Sequence, residues 1–199
     1  MTAEPLPAVV LQGHGVRLEP LATRHLPALH TALADPAVFA GGWGGGAAAL
    51  TPDLAGDPEA FGRWLLRYLP AERAVSYAVV HGDEVVGTTT LGHLDPATES
   101  LHVGWTAYAP RVWGTGVNAA CKLLVLGHAF GCGYGRVQLQ ADARNDRSRA
   151  AIVRLGAEFE GVLRRTQPRA DGSWRDTAVY SVLREEWPRV RAGLLARLR

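Results

Sequence analysis

The segment Arg111-Val112-Trp113-Gly114-Thr115-Gly116-Val117-Asn118 places an arginine and two glycines at the start of an apolar helical run. Glycines at such a junction let backbone N–H groups converge without side chains between them. A helix N-terminus there adds partial positive charge. Arg111 supplies a charge-assisted donor beside them. The chemistry favoured is capture of a pyrophosphate-like anion; the plainer alternative is a turn that only starts a helix. A Walker loop needs Gly-Lys-Ser/Thr, which Gly116-Val117-Asn118 lacks. Gly114-Thr-Gly116-Val-Asn-Ala119 matches the dinucleotide fingerprint literally, but Pro110 and Arg111 separate it from the preceding strand, so the match reads as coincidence.

The elements that must position this segment follow from periodicity. Val16 to Leu21 reads as a first short strand. Thr23 is expected to cap a helix running to about Ala34, stopped by Asp35-Pro36. Gly41 to Ala49 is a glycine- and alanine-rich loop around Trp43, suited to an adaptable wall or lid. Asp57-Pro58 opens a second helix through Leu69. A period of two then predicts strands Ser76 to His81 and Glu84 to His93, joined at Gly82-Asp83. In the next strand, Leu101 to Tyr108, the spacing sends Leu101, Val103 and Trp105 to one face and His102, Gly104 and Thr106 to the other. Gly116 to Phe130 is apolar over most of its circumference and predicts a buried helix. Strand Arg136 to Asp142 and helix Asp146 to Leu155 follow. Strands Ala157 to Arg165 and Asp176 to Leu183, joined by Ala170 to Ser173, precede an amphipathic tail helix Glu185 to Arg199. The expectation is a single α/β domain over residues 1–199.

Composition narrows the function classes. The chain has 199 residues, 47% hydrophobic and 20% charged, with a formal net charge of +2. That suits one globular core and argues against nucleic acid as a partner. Lys122 is the only lysine, and the abundance of arginine reads as compositional bias. Cys121 and Cys132 are too far apart along one helix for a disulfide, so both are expected to be reduced. No metal-ligand cluster is apparent. Met1 to Gly15 does not resemble a signal peptide, and no segment approaches the ~20 apolar residues that span a bilayer. A cytoplasmic location without membrane attachment is expected.

Taken in order, these features resemble the GNAT superfamily of N-acetyltransferases, in particular the ribosomal-protein N-terminal acetyltransferase branch. Arg111, Gly114 and Gly116 match its pyrophosphate signature. Gly104-Trp105 is similar to its splayed strand, and Asn145-x-x-Ser148 with Arg154-Leu-Gly-Ala157 to its second cofactor helix. Phe159-Glu-Gly161 and Val179 to Leu183 are similar to its closing strands. The resemblance covers about residues 15–187 and implies a mixed, mostly antiparallel splayed sheet flanked by helices.

It also implies acetyl-CoA as donor and a small-molecule or peptide amine as acceptor, with a protein N-terminus as one candidate. Trp105, Thr106, Arg111 to Asn118, Asn145 and Ser148 would contact the donor, and strand Val103 to Tyr108 would offer a backbone N–H to the thioester oxygen. Ser148 takes the place of the thiolate acid, since the tyrosine position of other members is Ile152. The branch's glutamate base falls on Gln167, which cannot accept a proton. Glu99, His93, His102 and Asp142 are alternative bases; Glu19, Glu160 and Tyr180 read as structural. Succinyl-CoA is an alternative donor if Arg63, Arg67, Arg164 or Arg165 meets its carboxylate. A non-catalytic acyl-CoA-binding regulator is the alternative from another class. The apolar face of the tail helix could serve as a homodimer contact.

Overall fold

The computed structural model describes residues 3–198; Met1, Thr2 and Arg199, the ends of the expected domain and tail helix, lie outside them. The chain runs β1 (Leu11–Gly13), β2 (Val16–Pro20), α1 (Leu26–Leu33), α2 (Pro36–Ala40), α3 (Pro52–Gly56), α4 (Pro58–Tyr68), β3 (Val75–His81), β4 (Glu84–Asp95) and β5 (Ser100–Tyr108). It continues α5 (Val117–Gly131), β6 (Arg136–Asp142), α6 (Asp146–Leu155), β7 (Glu158–Pro168), β8 (Trp174–Leu183) and α7 (Trp187–Ala196). The strands form one eight-stranded sheet in the order β1-β2-β3-β4-β5-β6-β8-β7. Every neighbouring pair is antiparallel except β5 with β6. This is the mixed, mostly antiparallel α/β architecture that the sequence implies.

Several expectations need correction. Thr23 does not cap α1: it sits in a short 3-10 turn, and the nearby Ala22 N–H is satisfied by His25 Nδ1 at 3.1 Å. Asp35-Pro36 ends α1 but also opens α2, because Asp35 accepts from the Ala37 N–H at 2.8 Å and proline suits the first helical position. Thr51-Pro52 does the same for α3, and Asp57-Pro58 for α4. β1 was also unforeseen. Its hairpin turns at His14 and Gly15, both with positive φ (52° and 76°), as a tight two-residue turn requires. The loop around Trp43 is not loose: it holds two 3-10 turns, and Trp43 is buried.

The sheet divides the core in two. On one side α5 packs with Tyr77, Leu91, Val137 and Tyr180; on the other, Leu29, Phe39, Phe61 and Leu65 are fully buried between α1, α2 and α4. Each such side chain contributes roughly 2 kcal/mol on burial. The apolar face of α7 is taken up inside the chain: Val190 and Leu194 are buried in the α5 core, and Trp187 packs 5.4 Å from Phe130 between ring centroids. That face is therefore committed within the chain and is not an open surface for a second copy.

Two irregularities open the sheet at its centre. β5 and β6 pair only from Ser100↔Arg136 to Val103↔Leu139, after which they diverge. β5 goes on pairing with β4 to Tyr108, and β6 with β8 to Asp142. At the same point Trp105 adopts φ +48° and the β4–β5 register skips between Thr88 and Thr90. This bulge reverses side-chain parity. Trp105 therefore joins His102 and Ala107 on the α1/α4 side, while Thr106 turns to α5, against the simple alternation expected from sequence.

Candidate active site

The diverging ends of β5 and β6 frame a cleft of about 890 Å³. One wall is β5 from His102 to Tyr108 with the turn Val112 to Thr115; the other is β6 from Leu139 to Asp142 with α6. The floor of the cleft reaches Asn118 and Lys122 of α5, and its far end is closed by Trp43, Tyr68 and the β7–β8 hairpin. A smaller pocket of about 290 Å³ adjoins it, sharing Thr115 and Arg197 and adding His14, His81, Gly116 and Val117. Because β5 loses β6 here while keeping β4, the backbone groups on its β6-facing edge beyond Val103 need another partner.

The glycine turn has the local geometry of an anion site. Gly114 has φ +76°, a conformation that glycine adopts without strain. Gly116 caps α5 without any side-chain oxygen, and Thr115 Oγ1 accepts only from the Val117 N–H at 3.3 Å. Other first-turn amides of this 15-residue helix have no side-chain cap and are available for an anion. Across the cleft, the Arg147 guanidinium stacks on Trp113 at 3.5 Å from the ring centroid. Cation and open amides thus converge on one end of the cleft.

Of the residues expected from sequence, Trp105, Thr106, Val112, Trp113, Gly114, Thr115, Asn118, Asn145 and Ser148 line the cleft. Gly116 and Val117 line the adjoining pocket. Arg111 lines neither; its guanidinium pairs with Glu84 at 2.6 Å on the surface. Asn145 has a structural task. Its Oδ1 accepts from the Ser148 N–H at 2.9 Å, capping α6, and its Nδ2 donates to the Gly41 carbonyl. Gln167 and Ile152 also line the cleft.

The alternative bases (Glu99, Asp142, His93 and His102) and the residues read as structural (Glu19, Glu160 and Tyr180) separate clearly. Glu99, Glu19 and Glu160 lie outside the cleft and are held by arginines: Glu99 by Arg184 at 3.2 Å, Glu19 by Arg17 at 2.8 Å, and Glu160 by Arg136 at 2.5 Å. Hydrogen bonds from Arg17, His25 and Arg24 hold the Glu19 carboxyl down at about 2. Tyr180 is core, its hydroxyl accepting from Arg149 Nε at 3.3 Å. Asp142 lines the cleft but is bound by Arg169 through both oxygens, at 2.8 and 3.0 Å, and also caps the Arg144 N–H. His93 and His102 line the cleft too, packed against Trp105 at 5.4 and 5.1 Å between ring centroids. Burial, then the charges of His93, Lys122 and Arg175, push His102 down to about 3, so its ring is neutral.

Two cleft residues were missed by sequence reasoning. Lys122 is buried, with its Nζ donating to Thr106 Oγ1 at 3.0 Å, and burial lowers its pKa. The signal was present: a charged residue inside a helix apolar all round is rarely accidental. Arg175 of β8 lines the cleft with its Nε–H buried and unpartnered. Nothing local to Trp174-Arg175-Asp176 marks it.

Comparison with known proteins agrees with this architecture. Residues 16–158 match the family model described as the acetyltransferase (GNAT) domain. A protein from T. thermophilus assigned as an acetyltransferase is 40% identical, with 96% of this chain and 97% of that one aligned at TM-score 0.83. A GCN5-related N-acetyltransferase from Brucella melitensis is 27% identical, covering 100% and 90% at TM-score 0.87. Mycobacterium smegmatis RimJ, solved in complex with CoA-disulfide, shares the fold at 23% identity and TM-score 0.74, with 94% and 92% covered. No functionally curated protein shows significant sequence similarity to the chain. With a GNAT match over most of its length and a cleft framed by diverging strands, the chain belongs to the GNAT acetyltransferase family and is an acetyl-CoA-dependent N-acetyltransferase.

Proposed function

We propose that this enzyme acetylates a primary α-amine, a class that includes protein N-termini, and that Ser148 is its proton donor. The observation that carries this reading is the state of the only acidic side chain lining the cleft among the described residues: Asp142 is bound at both oxygens by Arg169. The cleft therefore offers no uncommitted carboxylate to deprotonate an ammonium. An α-amine, with pKa ~7.7–8.0, is partly neutral near pH 7, whereas a lysine side chain near ~10.4 is not.

Acetyl-CoA supplies the activated acetyl group. The residues of the chain hold it and manage the proton. The turn Trp113 to Gly116, the open amides of α5, and Arg147 form the anion end. The unpaired stretch of β5 after Val103 offers backbone hydrogen bonds and orients the thioester. Ser148, in the first turn of α6 and on the cleft wall, keeps a hydroxyl proton available for the leaving sulfur. Arg111 acts at this end only by exchanging its Glu84 partner for an anion. None of Arg63, Arg67, Arg164 or Arg165 lines the cleft, so the arginines named for succinyl-CoA do not favour that donor.

The test follows free-thiol release from acetyl-CoA over two sets of acceptors, α-amines and lysine ε-amines. Release with α-amines and little with ε-amines at pH 7 is expected. Equal release with both, or release with ε-amines alone, rejects the proposal.

A further inference from the structure

The cleft carries more cations than its donor requires, and they fall into two groups. Arg147, Arg154 and Arg197 lie with the glycine turn, α6 and the adjoining pocket, at the end assigned above to the donor's anion. Arg169 and Arg175 come instead from the β7–β8 hairpin, which closes the opposite end against Tyr68 and the loop at Gly44. The charge of Arg169 is balanced by its bidentate contact with Asp142. Arg175 has no such direct contact: its guanidinium forms no ion pair or hydrogen bond among the described residues, its Nε–H is buried, and burial lowers its pKa even though the Asp142 charge acts against that.

A buried N–H without a partner is costly, and the carboxylate nearest this cation is already bound by Arg169. The two Nη groups also make no hydrogen bond among the described residues and are not buried, so an anion in the cleft would give the guanidinium the partner it lacks. The surroundings point the same way. His102 is buried with both ring nitrogens unpartnered, and positive neighbours, Arg175 among them, help keep it neutral. Lys122 adds a further buried amine beneath the cleft. An acceptor entering as a bare ammonium would face Arg175 with the cleft's carboxylate, Asp142, already bound by Arg169. An acceptor that brings its own anion would be held by Arg175, while the positive surroundings depress the pKa of its ammonium and favour the nucleophilic free amine.

We infer that Arg175 anchors a carboxylate carried next to the amine of the acceptor, so that the acceptors are small amino-carboxylates of the free amino-acid type. The planar guanidinium, with its two Nη groups side by side, suits a two-oxygen partner in a way that a lysine would not. Tyr68 and Trp43, packed edge to face at 5.5 Å between centroids, give the rest of the acceptor an aromatic wall. This inference rests on the N-acetyltransferase reading above and narrows its acceptor class.

The experiment compares amino acids with their amides, their decarboxylated amines and their aminophosphonate analogues, using thiol release by the wild-type enzyme and by Arg175→Gln and Arg175→Lys. Wild type is expected to prefer the carboxylate over the amide by at least about tenfold in kcat/KM, since a site built for a polar group strongly rejects the analogue lacking it. Arg175→Gln is expected to erase that preference mainly through KM for the carboxylate, with KM for acetyl-CoA unchanged; Arg175→Lys should restore part of it. Preference for the aminophosphonate would reassign the anion as a phosphate and overturn the carboxylate assignment. Equal use of carboxylate and amide by wild type, or an undiminished preference in Arg175→Gln, overturns the proposal. If no amine releases thiol, the α-amine reading fails separately. Calorimetric titration of amino acids into the CoA complex then decides the anchor: binding lost in Arg175→Gln supports it, and binding equal to wild type, or absent from wild type, rejects it.

Discussion

His102 sits on the β5 wall of the cleft with neither ring nitrogen hydrogen-bonded, and its pKa falls from 6.5 to about 3 because burial and nearby cations disfavour its charged form. The unfolded chain binds a proton at this ring near pH 6.5, and the folded chain does not. Its contribution to stability is therefore complete above pH ~6.5 and is lost as pH falls toward 3, an effect of about 5 kcal/mol at most. Replacing it with a ring that cannot titrate, His102→Phe, should flatten this loss. Urea midpoints at pH 7 and pH 4 check it: wild type should fall more steeply than the variant, and equal slopes would show that the ring is already charged in the fold. Ser148 is tested differently. Ser148→Ala should lower kcat by about 100-fold, a usual effect of losing a general acid, while the affinity for acetyl-CoA stays within a factor of about two. Unchanged kcat would leave Ser148 as wall only. The cap that sets Ser148 at the start of α6 was readable because Asn145-x-x-Ser148 is a local pattern, closing over three residues at 2.9 Å. Lys122 and Arg175 were not, because what makes them unusual is the absence or distance of partners: Lys122 reaches Thr106, and Arg175 is seen to lack a partner only once β8 is packed.

At the scale of elements, the decisive device is the break between β5 and its neighbours. β4 and β5 approach so closely there that a Cβ added to Gly87 would lie 2.2 Å from the Ala107 carbonyl oxygen, a backbone atom that cannot swing aside. Gly87→Ala should therefore force the strands apart just beside the bulge. A loss of about 3 kcal/mol is expected, typical of overpacking against fixed backbone, together with weakened acetyl-CoA binding because the β5 wall moves. Chemical denaturation and a thermal shift with acetyl-CoA measure the two effects, and a variant as stable as wild type would mean that β5 is not fixed at Ala107. The sequence showed the elements wherever period and cap agreed. β6 and α6 begin and end as expected, and the Asp57-Pro58 start of α4 is where the pattern puts it. It did not show β1, α2 or α3, which are three to five residues long, too short for any periodicity to register. Nor did it show the parity switch at Trp105, since a bulge is a relation between two strands and leaves no mark on one.

At the scale of the molecule, the splay that makes the site also weakens the sheet, since β5 and β6 no longer hold one another beyond Val103 and Leu139. The two halves are tied across the gap by a small set of long-range contacts at its far end. Across the gap Asn145 donates to Gly41 and the Ala170 N–H donates to the Gly45 carbonyl at 3.0 Å, and within the β6-β8-β7 half Asp142 braces the hairpin by binding Arg169, with both partners nearly buried at 7% and 11% exposure. The last of these joins the end of β6 to the β7–β8 turn. Asp142→Asn would leave the Arg169 cation buried without its counter-charge, which should cost about 3–5 kcal/mol. In a chain of this size that lowers the melting temperature by on the order of 10 °C. The double variant Asp142→Asn/Arg169→Gln removes the stranded charge as well, so it should melt above the single variant. On the binding mode proposed above acetyl-CoA spans the same gap in the folded chain alone, so at about 100 times its Kd it should return roughly 2.7 kcal/mol to either form whose walls still bind it. Calorimetric scans of the three proteins with and without acetyl-CoA separate the contributions. If Asp142→Asn melts with wild type, the pair is not what holds the hairpin to β6. If acetyl-CoA rescues wild type and the double variant but not the single one, the unpaired Arg169 has been released into the cleft and distorts the walls between which the donor binds.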